Sequence, residues 1–211
     1  DGTITGLYAE LHADMGAYLS SIAPLIPTVI CITLFSGLYK YPGIWGETTG
    51  TLTNTVPVDA YRGAGRPEAS YLVERLVDVA AQELKMDPIE IRRKNFIGKD
   101  EFPYQTPVAF LYDSGDYHAM FDKLEENADY KGMRVTQAKA KEDGRLVGIG
   151  VGGSVEASGY GPAATVGALG FYGGMWEHGA IRVHPTGKVT VFTASHAHGQ
   201  GHETTFAQVV A

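Results

Sequence analysis

Residues 60–97 read AYRGAGRPEASYLVERLVDVAAQELKMDPIEIRRKNFI and hold the two strongest helix signals in the chain. Pro67 suits the first turn of a helix, and the apolar residues behind it recur at helical spacing on one face. The apolar positions are Ala69, Leu72, Val73, Leu76, Val77, Ala80 and Leu84, and the polar face carries Glu74, Arg75, Asp78 and Gln82. Asp87 and Pro88 provide an N-cap and an N1 proline for a second helix. The stretch therefore predicts two consecutive helices behind a glycine-rich turn.

Strands are predicted on both sides of these helices. Alternation of apolar and polar residues predicts a strand over Thr3–His12, and Thr and Val residues predict extended chain over Thr48–Val58. The other predicted elements are a helix over Asp116–Ala128, strands over Leu146–Val155, Ile181–His184 and Val189–Ala194, a turn at Pro185–Gly187 and a helix from about His202. Together they predict an α+β fold of mixed sheets with packed helices.

The composition changes near Asp143, because 15 of the 27 glycines lie between Gly144 and Gly201. We expect two abutting lobes, residues 1–135 and 136–211. Within the second lobe, the alternating glycines from Gly148 to Gly153 lack the strand, turn and helix order of a dinucleotide-binding fingerprint.

Composition also excludes several classes of function. The net charge of −7, without a basic stripe, argues against a nucleic-acid or anionic-membrane partner. One cysteine, Cys31, cannot build an iron–sulfur site in this chain. The most apolar stretch, Ile22–Leu38, contains Pro24 and Pro27 and is too short for a membrane span, so we predict buried structure there.

The first candidate site is the turn formed by Arg62, Gly63, Ala64, Gly65 and Arg66. Its glycines permit positive φ angles and a close approach of a ligand to the backbone, while two guanidinium groups and a helix N-terminus favour an anion. The alternative is a structural turn whose arginines pair with carboxylates elsewhere in the protein.

The second candidate site is the loop of His198, Gly199, Gln200, Gly201 and His202, between a strand end and a helix. A backbone of this kind, with the Gln200 amide, could hold a polar cofactor. A zinc site formed by His196, His198 and His202 is a second interpretation, although no acidic ligand follows the second histidine. A polar strand end without a ligand is the third.

Three stretches resemble the molybdenum hydroxylase family, which includes the large subunits of xanthine dehydrogenase, aldehyde oxidase and aerobic carbon monoxide dehydrogenase. They are AYRGAGRPEA at residues 60–69, MDPIEIRRKNFI at residues 86–97, and IRVHPTGKVTVFTASHAHGQGHETTFAQVVA at residues 181–211. Residues 1–18 are also similar. The resemblance spans nearly the whole chain and implies part of the molybdopterin-binding domain of a cytoplasmic oxidoreductase.

The resemblance also implies cofactors, partners and residue roles. It implies molybdopterin with molybdenum, in the cytosine dinucleotide form, and iron–sulfur clusters and FAD on an iron–sulfur subunit and a flavin subunit. Arg62 would lie on the substrate side of the molybdenum, and Gly63–Arg66 and His198–His202 would contact the cofactor. The family's catalytic glutamate lies outside residues 1–211, so we expect the isolated fragment to be inactive.

Differences from the family's motifs reduce the number of small-molecule substrate classes that we expect. Copper-dependent carbon monoxide dehydrogenases have a copper-ligating cysteine where this chain has Gly63. Xanthine dehydrogenases have a phenylalanine that stacks on purine at the position of Ala64, and their substrate arginine falls near Ile30. The expected substrate is therefore an aldehyde or another N-heterocycle. The alternatives are a histidine-ligated zinc hydrolase and a non-catalytic, glycine-rich scaffold domain.

Overall fold

The computed structural model describes residues 1–156, 167 and 177–211. The chain divides into two compact units, residues 1–156 and 157–211. The glycine- and alanine-rich stretch at residues 158–174 lies outside the described residues, apart from residue 167. The sequence-based division into lobes 1–135 and 136–211 stays a prediction.

Pairs of strands and pairs of α-helices follow one another along the first unit. Its strands are β1 (Leu7–Gly16), β2 (Ile44–Leu52), β3 (Tyr104–Gln105) and β4 (Leu111–Tyr112), and its α-helices are α1 (Arg66–Leu84), α2 (Pro88–Asn95), α3 (Tyr117–Ala128) and α4 (Tyr130–Glu142). β1 and β2 pair in parallel from Leu7 opposite Ile44, and β3 and β4 pair antiparallel. Small two-stranded sheets, one parallel and one antiparallel, together with packed helices therefore confirm the predicted α+β class.

Two of the predicted helices, α2 and α3, begin behind a short acidic side chain, and the cap of α2 was predicted. The Asp87 side chain accepts a hydrogen bond from the Ile89 backbone N–H at 2.8 Å, which caps α2. The Asp116 side chain caps α3 by accepting from the Ala119 N–H at 3.0 Å. A short polar side chain before a helix satisfies a backbone donor that the helix itself leaves unpaired, so these boundaries are readable from sequence.

The buried face of α1 differs in part from the prediction. The residues buried along this helix are Ala69, Val73, Val77 and Ala81, whereas Leu76 and Leu84 are exposed. The four buried residues pack against a core that includes Phe35, Leu38 and Tyr39. The buried face is therefore a narrow stripe at four-residue spacing. The apolar segment Ile22–Leu38 contributes to this core, as predicted, through a 3₁₀ turn and a short π-helix over Ile26–Ile30.

A buried ion-pair network joins α1 to α2, which the predicted polar face of α1 did not anticipate. Arg92 of α2 is fully buried, and its guanidinium contacts a Glu74 carboxylate oxygen and an Asp78 carboxylate oxygen, each at 2.9 Å. The Tyr39 hydroxyl also donates to Glu74, at 2.6 Å. Burying a guanidinium is costly unless carboxylates compensate its charge, so Glu74 and Asp78 serve as internal partners.

At the end of this unit one prediction is wrong and one helix was not predicted. Leu146–Val155 forms no strand, because its glycine-rich backbone has low strand propensity and part of it pairs with side chains instead of a neighbouring strand. Helix α4 was not predicted, since its charged sequence offers only a short apolar stripe. Its N-cap is Asp129, which accepts from the Gly132 N–H at 3.2 Å.

The described part of the second unit is a hairpin followed by a helix. β5 (Gly179–Val183) pairs antiparallel with β6 (Val189–Thr193), and α5 runs over His202–Val210. The predicted turn closes the hairpin, because the Gly187 N–H donates to the His184 carbonyl at 2.8 Å. Both strands and the helix confirm the sequence predictions for this region.

None of the helices in the described residues combines the length and apolar character needed to cross a membrane.

Candidate functional site

The first candidate loop is a tight turn with three consecutive left-handed residues. The φ angles are +102° at Gly63, +42° at Ala64 and +90° at Gly65. The Ala64 N–H donates to the Tyr61 carbonyl at 2.8 Å, and the Arg66 N–H donates to the Gly63 carbonyl at 3.1 Å. Gly65 is the N-cap of α1. The loop therefore ends directly at a helix N-terminus, where the helix dipole favours an anion.

The two glycines of this loop approach other parts of the chain closely. A Cβ atom at Gly65 would overlap the Ile26 carbonyl oxygen, and one at Gly63 would overlap the Pro67 ring. Gly65 itself is buried, and its backbone lies against the Ile26–Cys31 segment. The bare backbone at these glycines therefore serves packing within the chain.

The Cys31 thiol lies behind this loop and is fully buried. Burial, with a smaller contribution from the Glu68 carboxylate, raises the pKa of this thiol to about 11. The thiol therefore stays protonated at neutral pH, and its place is structural.

The two arginines of the loop differ in exposure. Arg62 is exposed, as is the neighbouring Tyr61. Arg66 is mostly buried, and its guanidinium forms an ion pair with the Glu156 carboxylate. A cation at a helix N-terminus is opposed by the helix dipole, so the Glu156 carboxylate offsets an unfavourable placement. The pairing of Arg66 with a distant carboxylate matches the structural alternative considered for this turn.

The second candidate loop is closed by the side chain of Gln200. Its amide oxygen accepts from the His198 backbone N–H, and its amide nitrogen donates to the His196 carbonyl at 3.1 Å. The φ angles of Gly199 and Gly201 are +89° and +76°, and Gly201 is the N-cap of α5. Gln200 therefore shapes an exposed turn that again leads into a helix N-terminus.

The histidines around this loop form ring contacts. The His196 and His198 ring centroids are 4.6 Å apart in an edge-on arrangement, and the His202 ring stacks on Phe206 at 4.6 Å. Across residues 1–156, 167 and 177–211, no group of three or more His, Cys, Asp or Glu residues is arranged to hold a metal ion. The geometry therefore gives the zinc interpretation of His196, His198 and His202 no support.

Sequence reasoning did not connect Glu156 or the Ile26–Cys31 segment with the first loop. Glu156 follows the alternating glycines and lies 90 residues after Arg66 along the chain. No local periodicity links positions so far apart. The sequence analysis anticipated such an ion pair only in general terms, through the alternative in which the loop arginines pair with carboxylates elsewhere. It did not indicate which carboxylate would be the partner.

Family models place both loops in one kind of domain. Two models, each described as a molybdopterin cofactor-binding domain, match residues 1–96 and 123–211. The first match includes the loop at residues 62–66, and the second includes the loop at residues 198–202.

Similar proteins are large subunits of molybdenum enzymes or oxidoreductases. The carbon monoxide dehydrogenase large chain of Hydrogenophaga pseudoflava is 42% identical over 216 residues, covering all of this chain and 27% of that protein. The nicotine 6-hydroxylase large subunit of Paenarthrobacter nicotinovorans is 33% identical and is covered to 26%. Quinoline 2-oxidoreductase from Pseudomonas putida 86 superposes with a TM-score of 0.77 at 33% identity, covering 96% of this chain and 26% of that one. The chain thus spans about a quarter of these relatives' length.

Proposed function

We propose that this chain, which belongs to the molybdopterin cofactor-binding domain family, is part of the catalytic subunit of a molybdenum-dependent oxidoreductase that hydroxylates an aldehyde or N-heterocycle. The observation that carries the proposal is the pair of glycine turns, each ending at a helix N-terminus, at the two sequence motifs that resemble the family. Such turns present backbone N–H groups and a favourable dipole to the anionic parts of a cofactor.

The loop residues fit this cofactor chemically. When bound, the molybdenum on its pterin supplies the two-electron oxidation of the substrate carbon. Around it, Gly63–Arg66 and His198–His202 would hold the cofactor through the Arg66 charge and through loop N–H groups other than those of Ala64, Arg66 and His198, which donate within their own loops. Exposed Arg62 faces the substrate side and is the catalytic residue in this chain. The proton-accepting glutamate expected from the family lies outside residues 1–211.

The proposed substrate class follows from two residues of the first loop, Gly63 and Ala64. Gly63 offers no thiolate for copper, which argues against carbon monoxide as the substrate despite the 42% identity to a carbon monoxide dehydrogenase. Ala64 offers no aromatic ring for a purine. The similarity to a nicotine 6-hydroxylase and a quinoline 2-oxidoreductase favours an N-heterocycle, with an aldehyde as the alternative class.

The proposal also specifies the form of the cofactor, the partner subunits and the cellular compartment of the assembly. The molybdopterin is the cytosine dinucleotide form, and electrons leave through iron–sulfur clusters and FAD on an iron–sulfur subunit and a flavin subunit. The names of the relatives, which are a large chain, a large subunit and a complex subunit, support a multi-subunit assembly. We place the assembly in the cytoplasm, without nucleic-acid partners.

Substitutions at the two loops test this proposal in the full-length protein. Arg62→Ala should lower turnover of the identified substrate while molybdenum content stays within about twofold of wild type, because Arg62 faces the substrate. Gln200→Ala should lower molybdenum content, because the second loop loses the two hydrogen bonds that shape it.

Matched controls are available on the same elements. Arg75→Ala removes an exposed arginine of α1, and Gln208→Ala removes an exposed glutamine of α5. Both should leave turnover and molybdenum content unchanged. Unaltered turnover and metal content in Arg62→Ala and Gln200→Ala would instead favour the scaffold alternative, in which both loops are structural.

A further inference from the structure

The segment Val151–Glu156 has no regular secondary structure, yet it is anchored to α1 and α2. The Arg92 guanidinium donates to the Val151 carbonyl at 2.9 Å, and the Gly153 N–H donates to a Glu74 carboxylate oxygen at 3.1 Å. The Val151 and Val155 side chains pack against the core. Hydrogen bonds and apolar contacts thus fix the chain up to the residue that precedes Glu156.

The groups that anchor this segment are themselves rigidly held. Arg92 is fully buried and also donates to the Pro88 carbonyl at 2.9 Å, in addition to its ion pairs with Glu74 and Asp78. A buried network in which each donor has its acceptor permits few alternative arrangements. The position of Glu156 is therefore set by the core and not by the ion pair it forms.

Glu156 meets Arg66 at the first residue of α1. About one fifth of the Arg66 side chain is exposed, compared with about half of Glu156, so the ion pair lies at the edge of the solvent. The Glu156 carboxylate holds the Arg66 guanidinium in one orientation, although the dipole of α1 disfavours a cation at this end of the helix. An arginine restrained in this way loses less rotamer freedom when it binds an anion.

We propose that Glu156 is a positioning residue for Arg66, and that it holds this guanidinium oriented in the loop for the anionic part of the cofactor. The inference rests on the proposed function, since it takes Gly63–Arg66 as cofactor-binding. It also gives Gly153 a role: a Cβ atom there would overlap the Leu38 side chain, so a glycine lets the chain lie close to the core on its way to Glu156.

The test is cofactor retention by Glu156→Gln in the full-length protein, isolated with its partner subunits. Molybdenum and pterin per polypeptide are measured before and after dialysis. We expect Glu156→Gln to retain about threefold to fivefold less molybdenum than wild type, the upper part of the range for losing a partly exposed ion pair. Glu126→Gln, at an exposed glutamate of α3, is the control and should retain the wild-type amount.

A double substitution separates positioning from an independent effect. If Glu156 acts through Arg66, Glu156→Gln should cause no further loss when added to Arg66→Ala. Wild-type retention in Glu156→Gln, or an equal further loss in the double variant, would overturn the inference. Wild-type protein without any molybdenum would contradict the proposed function and this inference with it, so the two failures are distinguishable.

Discussion

At the scale of single residues, Arg92 is the side chain on which the first unit depends most. Arg92→Met should lower the free energy of unfolding by about 3 kcal/mol, because the largely buried Glu74 carboxylate loses the guanidinium that compensates its charge and keeps only neutral donors. Arg92→Lys should cause a smaller loss, since it keeps the charge but not the forked geometry that reaches two carboxylates. Denaturant unfolding of the full-length protein measures both. Equal stability of Arg92→Met and wild type would contradict the role given to the network.

Cys31 provides a second residue-scale prediction, which concerns pH. Burial raises its pKa to about 11 from an ordinary value of 9.0. Between these pH values the folded state binds more protons than the unfolded state, so this group's contribution to stability is complete below about pH 9 and is lost as the pH rises toward 11.

Thiol alkylation followed by peptide mapping tests this assignment. At pH 8 the peptide with Cys31 should stay unmodified in the native protein and react fully in denaturant, because only the thiolate is nucleophilic and the folded thiol is protonated and buried. Native alkylation as fast as that in denaturant would show that the thiol is accessible.

At the scale of elements, the left-handed turn that begins α1 should tolerate no side chain at Gly65. Gly65→Ala should cost about 3 kcal/mol or more, because a left-handed backbone disfavours Ala and its Cβ would overlap the Ile26 carbonyl. Gly144→Ala is the matched control. Gly144 has a φ of +74°, but no atom lies within 4 Å of its Cβ position.

The control variant should therefore lose only the conformational part, about 1–2 kcal/mol. Unfolding midpoints of the two variants give the difference directly. An equal loss in both would mean that the close approach of Gly65 to Ile26–Cys31 does not constrain the loop.

Elements with local signals were predictable, and elements defined by distant partners were not. Asp87 caps α2 as the sequence indicated, and Asp116 caps the helix predicted over Asp116–Ala128, because capping depends on a few neighbouring residues. The network around Arg92 could not be predicted, since Glu74 and Asp78 lie on what periodicity marks as a polar face. Similarly, the strand prediction over Leu146–Val155 failed because side chains from α1 and α2, not a strand, satisfy part of its backbone.

The candidate site shows the same limit. The sequence located both glycine turns and the helix that follows each one, since positive φ angles require glycine or a strained residue. It did not identify Glu156 as the partner of Arg66, or Gln200 as the side chain that closes its own loop. These contacts depend on side-chain directions that spacing alone does not specify.

At the scale of the whole molecule, we propose as the central claim that this chain helps to bind molybdopterin in a molybdenum hydroxylase without copper. Each compact unit contains one of the two glycine turns, and each turn lies within a match to the same kind of cofactor-binding domain. A chain that supplies only part of such a site should show no turnover by itself, so the decisive observation must come from the complete assembly.

The most direct measurement is the metal content of that assembly, with Mo, Fe, Cu and Zn counted per large subunit. We predict about one Mo per subunit, together with Fe from the partner clusters and no stoichiometric Cu, because Gly63 provides no thiolate. One Cu per Mo would contradict the inference drawn from Gly63. Absence of Mo, with or without Zn, would contradict the central claim and leave only a shared fold.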